Sequence, residues 1–131
     1  MHALQQPKMP RKLLHGFLLF CLPFLCAAAA LAFGPKVVVE TRGEEGSFTF
    51  TAEEQFHTPA FEVEVLDTTG AGDVFHGAYL VGLLHGWDAC LRAQFATAVS
   101  ALKCSHFGGR KGIPGFAETI AFLNRRGVCI P

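Results

Sequence analysis

The sequence predicts a layered α/β domain, on three observations. Two short runs of strand-forming residues, Val37-Val38-Val39 and Ser47–Thr51, follow a helix-prone alanine stretch. Beyond residue 70 come longer segments with helix-starting and helix-ending residues at their borders. Half of the 131 residues are apolar and 17% are charged, against about 25% charged in an ordinary soluble chain. That composition suits one packed domain and excludes a disordered or collagen-like chain.

Ala27–Phe33 favours helix, and Gly34-Pro35 stops it. Val37–Val39 reads as a strand buried on both faces, as in a parallel sheet. Gly43 and Gly46 mark a turn, and Ser47–Thr51 reads as a second strand. Phe61-Glu62-Val63-Glu64-Val65 alternates strictly, the pattern of a strand with one wet face. Thr68–Asp73 is a small-residue loop feeding an apolar helical segment from Val74 to Leu84. Asp88 is placed to cap a helix running to about Cys104. Ser105–Gly115 is a glycine-rich loop containing Arg110 and Lys111. The last helix runs from about Phe116 to Arg126, with Arg125 and Arg126 at the negative end of its dipole and Gly127 as its cap.

Formal net charge is zero, so no overall field draws the chain to nucleic acid or anionic lipid. The halves differ: residues 1–36 carry Lys8, Arg11, Lys12 and Lys36 with no acid, whereas residues 37–131 carry eleven acids against seven bases, a net of −4. The five cysteines form no Cys-x-x-Cys pair and the six histidines no His-Glu-x-x-His pattern. No divalent-metal site is expected from them, and the cysteines read as buried reduced thiols. Lys8, Arg11 and Lys12 precede an apolar run from Leu13 to Phe33. A basic flank, an apolar stretch and a small-residue tail are the grammar of a secretory signal, and 21 residues also suffice to span a bilayer. A buried helix and loop fits the same composition.

The chemistry concentrates in Asp67-Thr68-Thr69-Gly70-Ala71-Gly72-Asp73. Side-chain-free residues let successive N–H groups converge, and the helix that follows adds the positive end of its dipole. Such a turn suits a phosphate. Asp73 at the same turn could take the proton of a hydroxyl attacking that phosphate. No Gly-x-x-x-x-Gly-Lys-Ser/Thr is present, and Phe75 stands where a dinucleotide fingerprint needs its third glycine. On the residues alone, an ordinary strand-to-helix turn with a structural Asp73 remains the competing reading.

Asp67–Asp73, continued by Gly77-Ala78-Tyr79-Leu80, is similar to the carboxyl-terminal signature of the ribokinase/PfkB family of carbohydrate and nucleoside kinases, without departure over fourteen positions. Val37–Glu40 followed by Thr41-Arg42-Gly43-Glu44-Glu45-Gly46 resembles the family's strand and Thr-x-Gly-x-x-Gly turn beside the nucleotide. Ala101-Leu102-Lys103-Cys104, leading to Gly108-Gly109-Arg110 and Ile113-Pro114, resembles the loop beside the adenine and the monovalent-cation site. The resemblance covers residues 27–131 and leaves 1–26 as an unmatched apolar leader.

The resemblance implies the carboxyl-terminal part of a three-layer α/β/α ribokinase-like fold with an incomplete sheet. It implies an ATP-dependent phosphotransferase in which Asp73 deprotonates a sugar hydroxyl and the amides of Gly70, Ala71 and Gly72 form the anion hole. Thr41, Gly43 and Gly46 would contact the nucleotide. Thr97 stands where several relatives carry an asparagine, and its shorter side chain weakens that contact. Asp67 and the Thr69 carbonyl, with Lys103, His106, Gly108 and Gly112 of the following loop, would hold K+. ATP or ADP, Mg2+ carried by the nucleotide, and a sugar or nucleoside are the implied ligands; the resemblance also leaves room for a homodimer. Family members are much longer, and their sugar-binding residues lie before the first matched element. The chain therefore reads as truncated, weakly active or inactive alone, with an exposed sheet edge and apolar face. A catalytically dead nucleotide-binding remnant is the alternative. Signal cleavage after Ala32 would cut inside the matched region, so a cytoplasmic chain is expected, with secretion or anchorage through residues 13–33 as the rival.

Overall fold

A computed structural model of the chain describes residues 25–131. Most of the apolar leader thus lies outside the described residues; among those described, no helix is long and apolar enough to cross a membrane. Helix α1 covers residues 25–32. It closes as the Phe33 and Gly34 N–H groups donate to the carbonyls of Ala30 and Leu31, and Pro35 then prevents its continuation.

Strands β1 (Val37–Thr41), β2 (Ser47–Thr51) and β3 (Gln55–Thr58) form one sheet in the order β1-β2-β3. Both pairings are antiparallel, with Val39 opposite Thr49 and Thr49 opposite Phe56. This corrects the expectation of a parallel-sheet strand buried on both faces at Val37–Val39. Those valines are half-buried, because β1 is an edge strand among the described residues and its partner returns through a short turn. β3 carries no sequence pattern of its own; its backbone becomes a strand by pairing with β2.

The expected strand at Phe61–Val65 is not one. The segment is extended, and Phe61 and Val63 turn toward the core while Glu62 and Glu64 face outward, so the alternation is real. No ladder forms there among the described residues. The segment is held instead by the Arg126 guanidinium donating to the Glu62 carbonyl at 3.0 Å, by the Phe61 ring edge-on to Phe122 and, just beyond it, by Leu66 N–H donating to the Cys104 carbonyl at 2.8 Å.

Three helices complete the fold: α2 (Ala71–Leu84), α3 (Ala89–Cys104) and α4 (Phe116–Arg125). α3 is central. It packs against α2 and α4 and supports β2 and β3. Buried alanines at 93, 96, 98 and 101 keep its surface low enough for close packing. The Asp88 carboxylate caps α3 by accepting Leu91 N–H at 2.8 Å, as the sequence predicts. Trp87, Phe95 and Phe116 cluster at one end of the core, and Phe75, Phe122 and Leu123 fill the rest. At the end of α4, Gly127 takes φ +78° and Val128 N–H donates back to Leu123 O, the expected glycine cap. The described cysteines are free, but only Cys104 is buried; Cys26, Cys90 and Cys129 are exposed, contrary to the expectation of buried thiols.

Candidate functional site

The Asp67–Asp73 turn lies between the extended 61–66 segment and α2. Its glycine stretch is less of a loop than expected, because Ala71, Gly72 and Asp73 already form the first turn of α2. Gly70 precedes them at φ +75°, a left-handed conformation that lets the chain reverse into the helix. Ala71 N–H donates to the Thr68 carbonyl, and Val74 N–H is the first to close on a carbonyl of the turn, that of Gly70. The N–H groups of Gly72 and Asp73 fall between them, at the end of a helix where the ladder supplies no acceptor. With the helix dipole they make an electropositive rim.

Asp67 holds the turn from behind. Its Oδ1 accepts Thr69 N–H and its Oδ2 accepts Gly108 N–H, both at 2.8 Å. The Thr69 hydroxyl first, then those two N–H groups, hold the carboxyl down at about 2. The Asp67 carbonyl accepts from Lys103 Nζ at 2.8 Å, and Lys103 is completely buried. From α3, the Ser100 hydroxyl donates to the Ala71 carbonyl at 3.1 Å.

Two clefts flank the turn. One, of about 580 Å³, gathers Thr41, Gly43 and Gly46 from the β1–β2 turn, Ala71 and Gly72 from α2, and Thr97 from α3. The sequence-assigned nucleotide residues thus share a single cleft with two of the three anion-hole positions. The other, of about 750 Å³, is lined by Gly70, Asp73 and Gly77 on one side and Arg110, Ile113 and Phe116 on the other. Asp73 is exposed at this second cleft. The first turn of α2 therefore separates two spaces, with the open N–H groups of Gly72 and Asp73 between them.

Individual residues within this site differ in what fixes them. Gly46 is required by the fold itself: at φ +95°, a Cβ there would overlap the Thr58 carbonyl oxygen and lie 2.6 Å from Ala60 N. At Gly72 a Cβ would meet no protein atom within 4 Å. The Thr97 hydroxyl donates to the Ala93 carbonyl at 2.7 Å, so Thr97 lines the cleft with its hydroxyl turned back on its own helix. Gly112 is held by packing, since a Cβ would lie 2.6 Å from His106 Cβ and 2.7 Å from the Lys103 carbonyl.

Sequence reasoning missed Ser100. Thr97, Ser100, Ala101 and Cys104 all line the first cleft at helical spacing, so the stripe that contains Thr97 was the available signal. The potassium assignment fares differently. Both carboxylate oxygens of Asp67 already accept N–H groups, the Lys103 carbonyl accepts His106 N–H, and a lysine ammonium sits on the Asp67 carbonyl. Each of these oxygens keeps a further lone pair beyond the one bond it accepts.

The arrangement is a glycine turn opening a helix, with a cleft on either side and an exposed carboxylate, Asp73, at one of them. The chain belongs to the pfkB family of carbohydrate kinases, whose model matches residues 25–115. It is 36% identical over 102 residues to the ribokinase of Bacillus subtilis, covering 78% of this chain and 35% of that protein. A putative ribokinase II of E. coli, solved in complex with ATP and Mg2+, superposes with a TM-score of 0.75 at 37% identity, over 79% of this chain and 33% of that one. Arabidopsis thaliana ribokinase, solved with ribose and ATP, superposes at 0.69 and 28% identity, over 73% and 31%. The fold is the corresponding part of the ribokinase α/β architecture, and the chain spans about a third of the length of these relatives.

Proposed function

We propose that this chain is the nucleotide-side part of an ATP-dependent carbohydrate kinase, with the γ-phosphate of ATP at the Gly70–Asp73 turn and Asp73 as the base. The observation that carries this reading is the placement of the turn between two clefts, nucleotide residues on one side and Asp73 on the other. The acceptor hydroxyl approaches from the Asp73 side. Its oxygen attacks the γ-phosphorus, the bond from that phosphorus to the β,γ-bridging oxygen breaks, ADP leaves, and the hydroxyl proton passes to the Asp73 carboxylate. In this reading the N–H groups of Gly72 and Asp73, fixed at the start of α2, meet the charge developing on the transferred group.

Among the described residues no group of three or more His, Cys, Asp or Glu side chains is placed to hold a metal. In this reading magnesium enters with the nucleotide, as Mg-ATP. The acceptor class is a sugar or nucleoside, and the consumption of ATP assigns the chain to the cytoplasm. A second reading follows from the share of its relatives that the chain spans: nucleotide binding without turnover, because transfer requires both reactants to be positioned.

Transfer of labelled γ-phosphate from ATP to a panel of sugars and nucleosides separates the two. Transfer by the wild-type chain, reduced about 10²- to 10⁴-fold by Asp73→Asn with nucleotide affinity kept, is the expected result. Undiminished transfer by the Asp73→Asn protein would remove Asp73 from the mechanism. Binding of ATP with no transfer to any acceptor would leave the second reading.

A further inference from the structure

The first turn of α2 has no side-chain cap of its own. Gly70 stands at the capping position and offers no side-chain acceptor to the open N–H groups of Gly72 and Asp73. Two ties reach this stretch. Asp67 holds the residues before the helix through the N–H groups of Thr69 and Gly108. Within the helix, the Ser100 hydroxyl of α3 donates to the Ala71 carbonyl at 3.1 Å, from twenty-nine residues along the chain. Thr97, one turn earlier on the same stripe, turns its hydroxyl to the Ala93 carbonyl of its own helix instead. Ala71, Gly72 and Ser100 all line the cleft that holds Thr41, Gly43 and Gly46.

The oxygen that Ser100 holds belongs to the same peptide unit as the Gly72 N–H. That unit is planar and trans, so its C=O and N–H point in opposite directions and turn together. A donor fixed on the oxygen therefore fixes where the N–H points. It also draws electron density toward the oxygen, which makes the N–H a stronger donor. Helix ends fray, so an anchor at this unit acts where the ladder alone holds least.

We infer that Ser100 is a positioning residue: through the Ala71 carbonyl, its hydroxyl aims and polarises the Gly72 N–H for the terminal phosphate of ATP. The inference rests on the proposed placement of the γ-phosphate at the Gly70–Asp73 turn. ADP lacks the group that this amide meets, so the contribution of Ser100 belongs to ATP.

The test compares the full wild-type chain with Ser100→Ala and Ser100→Thr by two readouts. Alanine suits a helix interior, so the Ser100→Ala protein is expected to fold. The first readout is the Gly72 backbone amide resonance in nitrogen–proton correlation spectra recorded without nucleotide. It is expected to move in Ser100→Ala, by more than the resonances of Ala78 and Tyr79 farther along α2, and to return in Ser100→Thr, which keeps the hydroxyl. An unmoved Gly72 resonance would overturn the inference. The second readout is calorimetric titration of Mg-ATP and Mg-ADP. Ser100→Ala is expected to lose about three- to tenfold in Mg-ATP affinity and less than about twofold in Mg-ADP affinity. Equal loss for both nucleotides, the mark of general damage to the cleft, would overturn it, as would unchanged Mg-ATP affinity. If the wild type binds neither nucleotide, the nucleotide reading fails, while the Gly72 resonance still decides whether Ser100 sets that amide.

Discussion

Asp67 ties part of this protein's stability on the acid side to one turn. Its carboxyl is held at about 2, below its ordinary 3.8, by bonds that exist only in the fold. Because the folded value is the lower one, the stabilisation is fully present above the unfolded pKa and is lost as pH falls through the folded value. Denaturant unfolding followed from pH 5 downward should therefore show a loss beginning near pH 4 and completing near pH 2. Asp67→Asn should be less stable than wild type at neutral pH, and the difference should narrow over that same window. A difference independent of pH would mean that the carboxylate charge is not what the turn uses. The glycine turn into α2 was legible in the sequence, as were the Asp88 cap and the Gly127 stop, because each is a local rule written in adjacent residues. The bond made by Lys103 was not. A lysine in the last turn of a helix ordinarily serves the dipole from solvent, and only the fold brings it to a carbonyl thirty-six residues earlier.

At the scale of elements, the β1–β2 turn and the start of α2 use glycine for opposite reasons. Gly46 has no room for a side chain and sits at a positive φ, so its requirement is structural. Gly46→Ala should cost about 3 kcal/mol or more, seen as a lowered denaturation midpoint with the slope kept. Its loss of nucleotide binding would follow from disrupted packing and would say little about contact. Gly72 is the clean probe, since a methyl group there meets only open space. The helices were legible because their caps and apolar runs are long. The sheet was legible only in part. Gln55-Phe56-His57-Thr58 has a single large apolar residue and becomes a strand through pairing with β2, whereas Phe61–Val65 has the alternation of a strand and no partner to complete it among the described residues. Strand pairing is a long-range event, and periodicity reports only which face is buried.

For the whole molecule, the organising feature is one α2 terminus between two clefts; the first was legible only through the resemblance that grouped Thr41, Gly43, Gly46 and Thr97, and the second was not, because each is assembled from distant segments. Around them, large apolar side chains stand in solvent: Phe33 is 91% exposed, Leu84 87% and Phe107 70%. Exposed apolar surface favours association, so measurements call for dilute, monodisperse protein. The central claim is that the first turn of α2 binds the phosphates of a nucleotide, and calorimetric titration of Mg-ATP and Mg-ADP into wild type and Gly72→Ala tests it most directly. Gly72→Ala should fold with equal stability or gain up to about 1 kcal/mol, since alanine suits a helix better than glycine. Saturable binding by wild type, weakened about tenfold or more in the equally stable Gly72→Ala protein, is the result expected. A folded wild-type chain that binds neither nucleotide, or a Gly72→Ala protein that binds both as tightly as wild type, would contradict it.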